Sequence, residues 1–264
     1  MSPSKLEVTD LSMQFGGISA ITDLTFQMKE GEIFALIGPN GAGKSTVFNC
    51  ISGIYKPTRG QVIFEGEDIT NLKPHRIARK GIARTFQNIA LFRNMTVLDN
   101  LLLGRNPYLR AGVIRGGFFW GNAVREELTA RLAVEKLIDF LEIESVRKKP
   151  VGTLPFGIQR RVELGRAMAL APRLLLLDEP VSGMNVEETE DMARFILDIN
   201  EEFGMTILLV EHDMGVVMDI SDHILVINFG EKVAEGDPDT IGKDPDVIKA
   251  YLGEEAHGIT PQHT

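Results

Sequence analysis

Residues 38–46 read Gly38-Pro39-Asn40-Gly41-Ala42-Gly43-Lys44-Ser45-Thr46, which fits the G-x-x-x-x-G-K-[ST] pattern of a phosphate-binding loop. The flanks fit as well. Ile33 to Ile37 is a short, fully apolar run, as in a strand covered on both faces. Lys44 to Ile51 has the composition of an apolar helix. In such a loop the glycines let the backbone curl, so that its N–H groups converge on phosphate oxygens. The helix start adds the positive end of its dipole. Lys44 then reaches the β- and γ-phosphates, and the Ser45 hydroxyl ligates Mg²⁺. Strand, loop and helix in this order predict a nucleotide-binding α/β core that takes a nucleoside triphosphate with Mg²⁺.

Upstream, residues 5–36 read as strands, with Leu24, Phe26 and Met28 alternating with polar neighbours and a turn at Glu30-Gly31. Residues 61–70 read as a hairpin turning at Glu65-Gly66. Residues 96–103 read as a helix that Thr96 can cap, with Asp99 three positions on. A less regular stretch, 104–121, carries Gly112, Gly116, Gly117 and Gly121. A long amphipathic helix follows from about 123 to 141, with Leu128, Leu132, Leu137 and Leu141 among its apolar positions. Beyond Pro150 helices at 157–170, 186–202 and 213–219 alternate with strands at 173–177, 205–210 and 223–228. That alternation implies a parallel sheet with helices on its faces. The expected fold is α/β: a P-loop (RecA-like) nucleotide-binding core with an N-terminal antiparallel β subdomain and an inserted α-helical subdomain. Residues 1–88 and 154–255 would form the core, 89–153 the inserted lobe and 256–264 a tail.

Leu174-Leu175-Leu176-Leu177-Asp178-Glu179 is an apolar strand that ends in two carboxylates. In parallel sheets ligands bind at the carboxyl ends of strands. Asp178 would hold the magnesium, and Glu179 would orient and polarise the attacking water.

A phosphate loop alone also fits kinases and GTPases. Four further segments narrow the choice. Leu154-Pro155-Phe156-Gly157-Ile158-Gln159 resembles the signature segment of ABC ATPases. Val210-Glu211-His212-Asp213 resembles their switch histidine, Arg84-Thr85-Phe86-Gln87-Asn88 their Q-loop, and Ser182-Gly183-Met184-Asn185 their D-loop. The order and spacing resemble an ABC ATPase domain over nearly the whole chain. The resemblance implies two subunits facing head to tail. Each ATP would lie between one subunit's phosphate loop and the other's 154–159 segment, with Asn185 also across the interface. It further implies that Gln87 contacts magnesium or water, that His212 hydrogen-bonds the γ-phosphate, and that Phe15 stacks on adenine.

The departures are informative. Pro155 stands where the family has a serine, Phe156 where it has a glycine, Ile158 where it has a glutamine, and Asn185 where it has an aspartate. Gly157 remains, and the N–H groups of the following helix can still face phosphate. Together with Ala83 to Ile89, Leu91-Phe92 and Asn94-Met95-Thr96-Val97, these departures resemble the ATP subunits of branched-chain amino-acid importers. The resemblance implies integral-membrane permease subunits, a second ABC ATPase subunit in a homo- or heterodimer, and, indirectly, a solute-binding protein. It also implies a peripheral position on the cytoplasmic side of the inner membrane. Two other readings stay open: an ABC ATPase of a lipid or lipopolysaccharide exporter, and a non-transport ABC ATPase.

The bulk composition limits the rest. The net charge is −9, which argues against broad nucleic-acid binding. One cysteine, Cys50, excludes an internal disulfide and reads as a buried small apolar residue. No stretch approaches the roughly 20 apolar residues that span a bilayer. Arg76, Arg79, Lys80 and Arg84 read as the solvated basic face of a short helix. Phe118-Phe119-Trp120 reads equally as packing against the 123–141 helix or as a partner contact.

Overall fold

The computed structural model describes residues 4–87, 89–105 and 122–257. The aromatic cluster 118–120, the glycines between 112 and 121, and Asn88 lie outside the described residues.

Two sheets organise the molecule. The first is antiparallel, in the order β2-β1-β4-β5, built from β1 (Ser4–Phe15), β2 (Ile18–Lys29), β4 (Arg59–Phe64) and β5 (Glu67–Asp68). The β4–β5 connection turns at Glu65-Gly66, where both residues have positive φ, 50° and 78°. Paired positive φ values match the twist of the flanking strands in a two-residue hairpin.

The second sheet has six strands in the order β10-β9-β3-β8-β7-β6. These are β3 (Ile33–Ile37), β6 (Ile82–Arg84), β7 (Leu174–Asp178), β8 (Thr206–Val210), β9 (His223–Asn228) and β10 (Glu231–Gly236). All pairs are parallel except β9 with β10. Every residue of β3, β7 and β8 is buried, as their apolar runs require for strands covered on both faces, with only Thr206 and Asp178 polar at strand ends. One face shares a core with the antiparallel sheet and the helix after the 38–43 loop, through Phe34, Leu36, Leu174, Leu176 and Leu208 with Phe26 and Val62 of that sheet and Phe48 of the helix. The other face carries Ile33, Leu175, Leu177, Ile207 and Leu209 into a core shared with the helices.

The helices are α1 (Lys44–Ile51), α2 (Pro74–Arg79), α3 (Val97–Gly104), α4 (Asn122–Phe140), α5 (Phe156–Met168), α6 (Val186–Phe203), α7 (Met214–Ile220), α8 (Pro238–Ile241) and α9 (Pro245–His257). Their starts follow local chemistry. Thr96 caps α3 by accepting from the Asp99 N–H, and Asp213 caps α7 by accepting from Val216. Asn185 and Glu188 form a reciprocal capping box at the start of α6. The helices α3, α4 and α5 pack together, with Leu98, Leu101, Val134, Ile138, Leu141 and Val162 in one cluster.

Two expectations are corrected. On α4 the packed stripe is Ala130, Val134 and Ile138, with Leu137 beside it and Leu141 just past the helix end, whereas Leu128 and Leu132 are exposed. At about 100° per residue, positions two before 130 and two before 134 turn to the opposite side. Arg84 is not on a solvated helix face. It ends strand β6, is mostly buried, and pairs with Asp178 at 2.7 Å. Arg76 and Arg79 do lie exposed on α2.

Candidate active site

The sheet order places the carboxyl ends of β3, β7 and β8 side by side, and the loops that leave them build the site. From β3 comes residues 38–43. Gly38 has φ 151°, and a Cβ there would lie 2.0 Å from the Ile227 carbonyl oxygen of β9, so no side chain fits. Lys44, 6% exposed, bends back over the loop and donates to the Gly38 and Pro39 carbonyls. A buried ammonium held above loop N–H groups is a receptor for phosphate.

From β7 come Asp178 and Glu179. Asp178 is 4% exposed, and its carboxylate charge is matched by Arg84. The same guanidinium donates to Asn49 on α1 and to Ser52, the residue that caps its C-terminal end, so it ties this helix to the acidic strand. Glu179 has φ 51°, in the left-handed region, which a non-glycine residue occupies at a cost of about 1 to 3 kcal/mol. Its N–H donates to the Val210 carbonyl at 2.8 Å. Its carboxylate is held from two sides. Gln87 Nε2 donates to Oε2 at 2.9 Å, and His212 Nε2 lies 3.1 Å from Oε1.

From β8 comes Glu211-His212-Asp213. Glu211, 2% exposed, accepts from the N–H groups of Val181, His212 and Asp213. Burial, before the repulsion of nearby Glu179, pushes its carboxyl above the ordinary carboxylate range. Glu211 thus fixes the backbone of the His212 loop to the segment that follows Glu179. Only its place directly before His212 marks it in the sequence.

These loops enclose a cavity of about 270 Å³ lined by Ala20, residues 40–46, Gln87, Glu179 and His212. The structure therefore brings Asn40, Gly41, Ala42, Gly43, Lys44, Ser45, Thr46, Gln87, Glu179 and His212 together. Leu154, Pro155, Phe156, Gly157, Ile158, Gln159 and Asn185 do not line it. Phe15 lies outside it too, 43% exposed, with its ring edge-on to Tyr55 at 5.2 Å between centroids.

Among the described residues no cluster of three or more His, Cys, Asp or Glu could hold a metal unaided. Ser45, Gln87 and Asp178 offer oxygen donors suited to a hard cation that takes most of its remaining ligands from phosphate and water. Their chemistry fits Mg²⁺ bound together with a nucleotide.

At α5 the backbone geometry bears on the signature segment. Pro155 occupies the N-cap without a side-chain hydrogen bond, and the first helical bond is Gln159 N–H to the Pro155 carbonyl at 3.0 Å. The amides before it have no intrahelical partner, as at any helix start. Gly157 is buried against α6, where a Cβ would lie 2.4 Å from Glu188 Oε1.

A glycine-rich loop folded under a buried lysine, an acid-terminated strand and a histidine converging on one cavity, beside a helical lobe, define the ATP-binding cassette class. The comparisons agree and go further. The ABC transporter family model matches residues 21–182, and a model described as branched-chain amino acid ATP-binding cassette transporter matches residues 231–257. The chain belongs to the ABC transporter family, as one of its ATP-hydrolysing cassettes.

Among curated relatives, the chain is 45% identical to the high-affinity branched-chain amino acid transport ATP-binding protein BraF of Pseudomonas aeruginosa over 254 residues, 96% of this chain and 100% of that one. It is 41% identical to the LivG protein of the same description from Escherichia coli, with the same coverage. The ADP conformation of MJ1267, an ATP-binding cassette of an ABC transporter, superposes with a TM-score of 0.83 at 31% identity, covering 96% of this chain and 100% of that one. A dimeric post-hydrolysis state of the cassette MJ0796 with ADP and Pi matches at 26% identity and a TM-score of 0.72, over 88% of this chain and 98% of that one.

Proposed function

We propose that this chain is the ATP-hydrolysing subunit that powers uptake of branched-chain amino acids through membrane-embedded permease subunits. The observation that carries the chemistry is the clamp on Glu179. Its carboxylate sits at the end of β7, between the Gln87 amide and the His212 ring. There it can orient a water for attack on a γ-phosphoryl group that Lys44 and the loop amides would hold. Phosphoryl transfer asks mainly for positioning and for charge to meet the developing oxyanions. Mg²⁺ would supply part of that charge, held by Ser45, Asp178 and Gln87.

The cavity lacks any contribution from 154–159. That supports a head-to-tail pair in which these residues, with Asn185, complete the second subunit's site. The helix-start amides of α5 would then serve in place of the serine that Pro155 displaces. Asn185 caps α6 through its side-chain oxygen, while its N–H and carbonyl are taken up by Glu188 and Thr189, so it would meet the partner through its side-chain amide nitrogen. Phe15 stays half-exposed and available to stack on adenine.

An apolar groove of about 370 Å³ adjoins Gln87. Its walls include Ile54, Ile77, Phe86, Phe92 and Leu103, and Phe86 and Phe92 are 40% and 56% exposed. Exposed aromatics rimming a groove mark a protein contact. We assign it to a cytoplasmic segment of the permease, whose motion would pass through the Gln87 loop. Among the described residues no helix is long and apolar enough to cross a membrane, which supports a peripheral subunit. The solute class rests on the 45% identity to BraF over almost the whole length.

Reconstitution tests the proposal. The chain would be co-purified with its multi-span partners, placed in liposomes with a candidate solute-binding protein, and supplied with ATP. Uptake of labelled leucine, isoleucine or valine that needs ATP supports it. Uptake only of an unrelated solute, or ATP-driven export of lipid, overturns the solute assignment.

A further inference from the structure

Helix α5 carries a buried ion pair that the active site does not use directly. Arg160 and Glu163, 5% and 2% exposed, face each other at 3.2 Å. Both also bond to the backbone of the Gln87 loop, while the Arg160 Nε stays buried without a hydrogen-bond partner. Arg160 donates to the Phe86 carbonyl at 3.2 Å and to the Gln87 carbonyl at 2.8 Å. Glu163 Oε1 accepts from the Phe86 and Ala90 N–H groups, each at 3.4 Å. One turn earlier on α5, the Phe156 ring lies under the Arg160 guanidinium, 5.2 Å from its centroid. At the other end, the Gln87 side chain reaches Glu179.

A buried ion pair adds little net stability, because desolvation offsets its Coulomb attraction. Burial is also the main force pushing the Glu163 carboxyl up. A pair with that cost, spent on four backbone groups of a single loop, points to control of that loop rather than to general stability.

We propose that Arg160 and Glu163 are positioning residues for Gln87, joining the Gln87 loop to the first turn of α5 so that a ligand engaging Phe156 to Gln159 sets Gln87 against Glu179. This rests on the reading of Glu179 as the group that drives hydrolysis, and it adds a route by which one nucleotide site senses the other. Within one subunit the route runs from Phe156 through Arg160 and the Gln87 backbone to the Gln87 amide and Glu179.

The test uses the full-length chain with Arg160→Met, Gln87→Ala and the double variant, and hydrogen exchange of residues 85–91 without nucleotide. Arg160→Met should lower kcat about tenfold while leaving ATP affinity unchanged, since no phosphate contact is lost. The double variant should fall no lower than Gln87→Ala alone, because Arg160 acts through Gln87. Exchange across 85–91 should quicken in Arg160→Met. In a Glu179→Gln background, ATP should slow that exchange when Arg160 is present and not when it is Met.

Arg160→Lys keeps the charge but not the two-carbonyl fork; should Arg160→Met fail to fold, Arg160→Lys replaces it in every arm. Losses of kcat that multiply in the double variant, or exchange that stays unchanged, would overturn the proposal. Absence of turnover in the wild-type chain would instead sink the hydrolysis reading, and the exchange arm would still decide whether the clamp exists.

Discussion

Removing Arg84 is the perturbation whose size the structure defines best. Its side chain is 11% exposed and its guanidinium meets the buried Asp178 carboxylate at 2.7 Å. It also donates to Asn49 and Ser52 and lies over the Phe48 and Phe86 rings at 5.5 and 5.4 Å. Arg84→Met keeps most of the apolar stem but leaves a buried carboxylate without its counter-charge. Breaking a buried pair from one side costs about 3 to 5 kcal/mol. For a domain of this size that is a fall in Tm on the order of 6 to 20 °C. Denaturant unfolding and thermal scans of the nucleotide-free chain measure it. Arg84→Met with Asp178→Asn removes both charges and should recover a large part of the loss, since coupled neighbours are not additive. A loss under about 1 kcal/mol, or a double variant less stable than Arg84→Met, would refute a buried and mutually dependent pair.

Lys44→Ala should weaken ATP binding by roughly ten- to a hundredfold, about the worth of one charge-assisted hydrogen bond, as read by calorimetry. Gly38→Ala should abolish nucleotide binding or yield insoluble protein, because its Cβ would meet the Ile227 carbonyl at 2.0 Å; binding at the wild-type level would contradict the loop geometry. Glu211 has a folded-state pKa raised above its unfolded value, so the folded chain holds that proton more tightly. Its contribution to stability is therefore greatest below the ordinary carboxylate range and is lost as pH rises through the raised value. Glu211→Gln should flatten that part of the stability–pH curve, seen by denaturation at stepped pH. Cys50, 1% exposed with its thiol pushed up to about 11, should resist alkylation in the folded chain and react once denatured.

The parts of this molecule that sequence exposes best are local ones. Lys44 to Ile51 is helical over the expected span, Ile33 to Ile37 is a strand buried on both faces, and Thr96 caps the helix it was expected to cap. Each depends on neighbours a few residues apart, where periodicity and capping chemistry act. The less legible features join distant segments. Arg84 and Asp178 are 94 residues apart, so Arg84 reads as one more surface charge beside Arg76 and Arg79 until strands β6 and β7 are seen to pair. Arg160 and Glu163 look like an exposed i,i+3 pair, and only the fold of the Gln87 loop over α5 buries them. On α4, leucines at 128 and 132 make a second apolar edge, and packing against α3 and α5 chose the stripe through 134 and 138 instead.

The central claim is that Glu179, set between Gln87 and His212, drives ATP hydrolysis in this cavity. Comparing phosphate release by the full-length chain and by Glu179→Gln, with ATP affinity measured alongside, tests it most directly. The account predicts a loss of about a hundredfold or more in turnover, the scale of a lost general base, with ATP still bound. Turnover preserved in Glu179→Gln would contradict it.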